Sequence, residues 1–365
     1  MNFLRKLMIG LGTPILAILV LITVLLTSVN MAFHTSANVK KWLAASDIYT
    51  HAVNAILDQT TKDTASSASD GLSFSQPEVQ AVFKQVATPV FLQKNVETII
   101  DSSYSWLQGK TAKPNYTIDI TPIKTAFANA LEASARARLA TLPACSYRNV
   151  PTTTDPFSIT CNPPASVVNA DIAQVRNEIL NGQGFLPMST ITADTTSLGN
   201  SSKNSSALNS ALQEPAKPLY QQATSAPSVY KSAYYGPAVL AVLSLLIAIG
   251  IVFSARTRRS GLRIVASSLL SVGILLSLSA GASLFVLNHF TSTTAAQNAA
   301  TSVEGPAIYT VRLAVNYIVH TEIYAGIALV VTGTVALIVL RITRPKAPKQ
   351  MLAAKPPVDP ILKAS

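Results

Sequence analysis

The chain has 365 residues, 49% of them hydrophobic and 12% charged, with a mean hydropathy of +0.35. That charged share is about half the roughly 25% of soluble domains, which excludes an ordinary soluble globule and points to lipid as part of the solvent. The net charge of +11 does not mark a nucleic-acid-binding face either, because the excess lies in short flanks of apolar runs without aromatic interleaving.

Residues 1–6 carry Arg5 and Lys6, and residues 7–29 form an uncharged apolar run. About 20 apolar residues cross a bilayer core, so this run is a first transmembrane helix. "TSAN" at 35–38 offers a signal-peptidase site, but the run is longer than the 7–15 residues of a signal-peptide core, so an uncleaved anchor is expected.

Residues 30–233 hold 15 Lys/Arg and 14 Asp/Glu, a nearly neutral segment with a compact part expected at about 45–190. Ser46 is the expected N-cap of a helix burying Ile48, Ala52, Ala55 and Ile56. A second helix follows Ser75, with Pro77 in its first turn and Glu78 in a near capping box. Residues 91–107 predict an amphipathic helix with Leu92, Val96, Ile99, Ile100, Ser103 and Leu107 on one arc, Glu97 and Asp101 opposite, and Gly109 as its stop. "NYTIDIT" (115–121) alternates as a short extended segment. Pro122 opens a helix with Ile123, Phe127 and Leu131 inward, and Val168, Ile172, Val175 and Ile179 stripe another.

Cys145 and Cys161 are the only cysteines, and on the outer side of a membrane they are expected to form one disulfide. Residues 195–211, rich in Ser, Asn, Thr and Ala, read as a flexible linker.

Further spans are expected at 234–255, 264–290 and 323–340, joined by a basic loop at 256–263 and a short outer loop at 291–322, with a basic tail at 341–365. Ser267, Ser271, Ser279 and Ser283, with Gly273 and Gly281, suggest close helix packing in the third span, and Gly326 and Gly333 in the fourth. Trp42, Tyr234, Tyr235, Phe290, Tyr317 and Tyr324 fall near the outer span ends as an aromatic belt.

The short flanks hold 12 Lys/Arg against one acid, Asp359. Basic residues near span ends stay in the cytoplasm, which predicts both termini inside and 30–233 extracytoplasmic, in a multi-pass cell-membrane protein. The fold class expected is mainly α: a four-helix transmembrane bundle with a largely helical, disulfide-closed extracytoplasmic domain between spans 1 and 2.

Tyr104, Trp106, Lys110, Asp119 and Lys124 are the densest group of distinctive side chains and the candidate surface of that domain. Asp119 is equally suited to cap the next helix or to pair with Lys124. Arg256, Arg258, Arg259 and Arg263 are candidate contacts for a cytoplasmic partner or lipid heads. H-E-x-x-H, G-x-S-x-G, Walker and C-x-x-C motifs are missing, and the four histidines are scattered, so no catalytic residue, metal or cofactor is expected. "Y-x-W-L-x-G-K" (104–110), "I-D-I-T-P-I-K" (118–124) and "L-P-A-C" (142–145) resemble a group of uncharacterised bacterial four-span membrane proteins. The resemblance implies a bacterial envelope protein and no mechanism. The expected role is therefore non-enzymatic interaction, sensing or scaffolding, with a permease-like subunit or small-solute transporter as the alternative.

Overall fold

A computed structural model describes residues 2–64, 76–146, 155–181, 189–194, 218–298 and 304–343. It is mainly helical. Four helices are long and apolar enough to cross a membrane, with candidate windows at Gly10–Phe33, Ala226–Ser254, Arg258–Leu287 and Gly305–Ile342, so the chain has the make-up of a multi-pass membrane protein. They belong to α1 (Asn2–Phe33), α9 (Ala226–Ser254), α10 (Arg258–Asn298) and α11 (Glu304–Ile342). At most 22% of any span window is buried within the protein. Leu245, Leu246, Leu275, Leu278 and Val331 face outward, a distribution stable only in hydrocarbon.

The bundle consists of a tight α10–α11 hairpin and an α1–α9 pair laid against it. Close approach in the hairpin rests on glycine. A Cβ on Gly273 would stand 2.7 Å from the Gly326 carbonyl oxygen, and one on Gly333 2.8 Å from that of Ala266. The four serines expected at the contact lie on the exposed face of α10. Their hydroxyls donate back to carbonyls of the preceding turn, as Ser271 does to Ser267 at 2.9 Å, which satisfies them without a second helix. Nothing approaches Gly281 within 4 Å. The packing face runs instead through Ala266, Gly273, Leu276 and Ala280.

The expected loop at 291–322 is helical wherever it is described. With 41 residues, α10 spans about 60 Å at 1.5 Å per residue. A hydrocarbon core is about 30 Å thick, so the hairpin continues well beyond it. From His289 to Asn298 the run contains no Gly or Pro, so nothing in it breaks α10 there.

Between α1 and α9, α2 (Ser36–Ala45), α3 (Ile48–Thr64), α4 (Pro77–Val86), α5 (Pro89–Leu107), α6 (Thr121–Ala140) and α7 (Ala165–Asn181) form a helical inter-span domain, with α8 (Leu219–Gln222) leading into α9. Its main core joins Val53, Leu57, Val79, Val82, Phe83, Phe127, Leu131, Val175 and Ile179. Phe127 and Leu131 are fully buried, and Phe83 meets Phe127 edge to face at 6.1 Å. Val168, Ile172, Val175 and Ile179 are buried as their spacing predicts.

Two boundaries differ from expectation. Ser46 ends α2, its hydroxyl donating to the Leu43 carbonyl at 2.8 Å. Asp47 takes the left-handed conformation (φ 57°) and accepts from the Thr50 hydroxyl at 2.7 Å, so it starts α3. The buried stripe of α3 becomes Tyr49, Val53 and Leu57, and Ile56 is exposed. In turn, α5 has no fully buried residue, and its expected arc is split, Leu92 packing on the main core and Ile99 on the Tyr116–Ile118–Ile120 cluster. Ser75 and the linker at 195–211 lie outside the described residues, as does the tail from 344.

The extended segment is β1 (Thr117–Asp119), paired antiparallel with β2 (Thr190–Thr192). Cys145 and Cys161 are disulfide-bonded, their Cα atoms 4.9 Å apart. Beside the bond the Cys145 N–H donates to the Asn162 carbonyl and the Asn162 N–H to that of Pro143.

Candidate functional site

The five candidate domain residues do not converge on one site. Asp119 accepts the Thr121 N–H at 2.9 Å, and hydrogen bonding from Thr121 holds its carboxyl below the usual carboxylate range. The capping role is thus the one adopted. Lys124 is buried at 3% exposure, which corrects its assignment to the surface. Because α6 begins at Thr121, Lys124 falls four residues before Ala128 and seven before Leu131, on the core face. Trp106 is half-buried, and Lys110 is exposed just beyond the turn. Gly109 adopts φ +73°, a left-handed conformation that favours glycine.

Tyr104 points to the joint between domain and bundle. Its hydroxyl donates to the Phe33 carbonyl at 3.0 Å, at the end of α1. Burial, then the neighbouring Tyr230, pushes its phenol pKa up. Tyr230 in α9 meets the Tyr104 ring edge to face at 6.2 Å and donates to the His34 carbonyl at 2.9 Å. Beside this pair His34, Thr35, Gln108, Lys231, Tyr234 and Tyr235 line a cleft of about 570 Å³. One lysine among aromatic rings suits an amphipathic group at head-group level.

On the far side of the joint, α2 wedges against α11. Trp42 is 7% exposed, 5.5 Å from the Phe33 ring and 5.9 Å from that of Tyr317, over Ala32 and Ala314. Trp42 is therefore part of a packing joint rather than a belt, and Tyr317 packs on it while remaining 41% exposed. Tyr234, Tyr235 and Tyr324 are exposed, as belt residues are; the surroundings of Phe290 lie outside the described residues. Lys40 of α2 pairs with Asp101 of α5 at 2.8 Å, which lowers the Asp101 pKa. This locks the two helices together beside the joint.

At the opposite, basic end Arg256, Arg258, Arg259 and Arg263 are all exposed. They do not act alike. Arg259 and Arg263 line a groove of about 700 Å³ with Ser260, Ser267, Leu337, Leu340 and Arg341, whereas Arg256 and Arg258 stand outside it. Arg341 reaches the groove from α11. Its sequence signal was only its place in the last turn of a span, where a cation also suits the helix dipole.

Comparison of the chain with protein-family models, with curated proteins and with solved structures finds no match. Among the described residues no group of three or more His, Cys, Asp or Glu is placed to hold a metal.

Proposed function

We propose that this is a non-enzymatic membrane protein of the bacterial envelope whose inter-span domain stands outside the cell and serves interaction, sensing or scaffolding. Both termini and the basic loop at 256–263 then face the cytoplasm. The observation that carries the reading is the joint: the domain is not a tethered bead but is seated on three of the four long helices. Trp42 fixes α2 to α1 and α11, and Tyr104 and Tyr230 fix α5 to α1 and α9. A load or ligand on such a domain is felt by the bundle. The disulfide and the one-sided Lys/Arg excess support the sidedness. Carboxylates are held apart in structural roles, Asp119 as a cap, Asp101 on Lys40 and Glu97 accepting from Gln93, which favours a binding role over catalysis.

The test is labelling in intact cells with an impermeant maleimide, on single cysteines replacing Lys110 and Arg256 in a Cys145→Ser/Cys161→Ser background. The reading expects label at position 110 only; label at 256 only overturns it. Photo-crosslinking from position 110 is then expected to yield a discrete protein adduct, and loss of growth-phase-independent adducts altogether counts against an interaction role. A permease-like subunit is the second reading, favoured by the large domain packed on α1, α9 and α11. It requires an ATPase that co-purifies and is lost when Arg256, Arg258, Arg259 and Arg263 become Ala.

A further inference from the structure

We propose that the groove at the basic end of the α10–α11 hairpin holds the phosphate of an anionic phospholipid, with Arg259, Arg263 and Arg341 as its ligands. Arg259 and Arg263 lie one turn apart on α10, and Arg341 faces them from α11 across about 700 Å³. None of the three is ion-paired among the described residues. The sequence from 215 to 303 contains no Asp or Glu, so no neighbouring carboxylate of α9 or α10 offsets this charge. Three guanidinium groups around one open groove repel one another, and an anion seated between them removes that cost. Guanidinium forks match phosphate oxygens in pairs, giving geometry as well as charge.

The groove lies beside a close approach of the hairpin. Gly333 is pressed on Ala266 and Leu270, and about one turn further toward the termini Ser267 and Leu337 line the groove. Leu337 and Leu340 make one apolar wall, near the end of a helix apolar enough to cross a membrane. A free phosphate ion has no use for that wall. A glycerophospholipid does, since its acyl chains pass from that wall into the hydrocarbon around the spans once its phosphate is held. The positive end of α10, which starts at Arg258, adds to the field at the phosphate.

This inference rests on the helices crossing a bilayer but not on which face is cytoplasmic. Reversed cysteine labelling with an intact lipid preference would overturn the topology alone. The experiment uses the full chain in neutral detergent, disulfide intact, and compares retention of phosphatidylglycerol with phosphatidylcholine of equal chain length by native mass spectrometry. Both lipids carry the phosphate, so the discrimination comes from the choline cation, which three guanidinium groups repel. A preference of about tenfold or more for phosphatidylglycerol is expected. Arg259→Gln/Arg263→Gln/Arg341→Gln is expected to abolish it, and Arg341→Gln alone, which serves where the triple variant does not fold, to reduce it several-fold. Arg256→Gln/Arg258→Gln, outside the groove, is expected to keep it. Equal retention of the two lipids by the unaltered chain, or an equal loss in both variant sets, overturns the site. Displacement of phosphatidylglycerol by low-millimolar inorganic phosphate would overturn the lipid as its occupant.

Discussion

At the scale of single residues, Phe127 and the exposed ion pair of the small sheet carry contrasting weights. Phe127 is 2% exposed at the centre of the domain core and packs edge to face on Phe83. Phe127→Ala is expected to cost about 3–5 kcal/mol, the range for truncating a buried aromatic ring; chemical denaturation of the purified chain, followed by fluorescence, measures it. Lys113 pairs with Asp194, and Tyr220 donates to the same carboxylate at 2.9 Å. These bonds, Lys113 first, lower the Asp194 pKa and raise that of Lys113. The Asp contribution is therefore present above the unfolded carboxyl pKa of about 3.9 and is lost as pH falls through the lower folded value. The Lys contribution is present below about 10.4 and is lost as pH rises through the higher folded value. Both side chains are about half-exposed, so solvent screens the pair and the effect is small. Melting curves of Lys113→Met are expected to lie slightly below the unaltered chain at pH 7 and to approach it as pH falls below the carboxyl range. A gap that widens toward pH 3 would contradict the assignment.

At the scale of elements, the hairpin glycines separate close packing from mere composition. Gly273→Ala and Gly326→Ala each force a methyl against a facing carbonyl or side chain, and such overpacking costs about 1–3 kcal/mol. Gly281→Ala, with open space around it, is expected to be neutral or slightly stabilising by the gain in helix propensity. Thermal unfolding in detergent compares the three. Small residues at helical spacing announced that α10 packs tightly, yet they did not tell which face does so, because a serine that bonds to its own helix sits equally well toward lipid. Stripes of large apolar residues were more legible: Val168 to Ile179 in α7 and Phe127 with Leu131 in α6 have no alternative burial. Phase failed where a short turn intervened, as at Asp47, whose left-handed backbone reset α3 by one residue. The strand partner at Thr190–Thr192 had no signal of its own, since three residues of "TIT" carry too little pattern to distinguish a strand from a loop.

At the scale of the whole molecule, the disulfide and the Trp42 joint act on different equilibria. The Cys145–Cys161 bond closes a 16-residue separation within the domain, and in the chain-entropy model such a loop contributes roughly 3 kcal/mol. Cys145→Ala/Cys161→Ala is expected to lower domain stability by about that amount, read by denaturation, while the detergent-solubilised bundle keeps its helical circular dichroism. The joint was the least legible feature, because Trp42 near a span end matches an interfacial anchor in sequence. Only the length of α11, which extends through residues expected to form a loop, brings Tyr317 up to meet it. Removing that ring leaves a cavity bounded by Phe33, Ala314 and Tyr317 at the boundary of two bodies rather than inside either. Trp42→Ala should cost about 3–5 kcal/mol of docking energy by the cavity rule, yet leave the Phe127 core untouched because none of its residues contacts the ring. Hydrogen exchange is the measurement that separates these outcomes. Amides of α2 and of residues 305–320 are expected to exchange at least about tenfold faster in the variant, with α6 and α7 unchanged. Uniform acceleration across α6 and α7 would mean that domain and bundle unfold as one unit, and unchanged exchange in α2 would mean that Tyr104 and Tyr230 alone hold the two together. In the first case the coupling between domain and bundle is not confined to the joint; in the second it runs through α5 and α9, on the tyrosine side of the molecule.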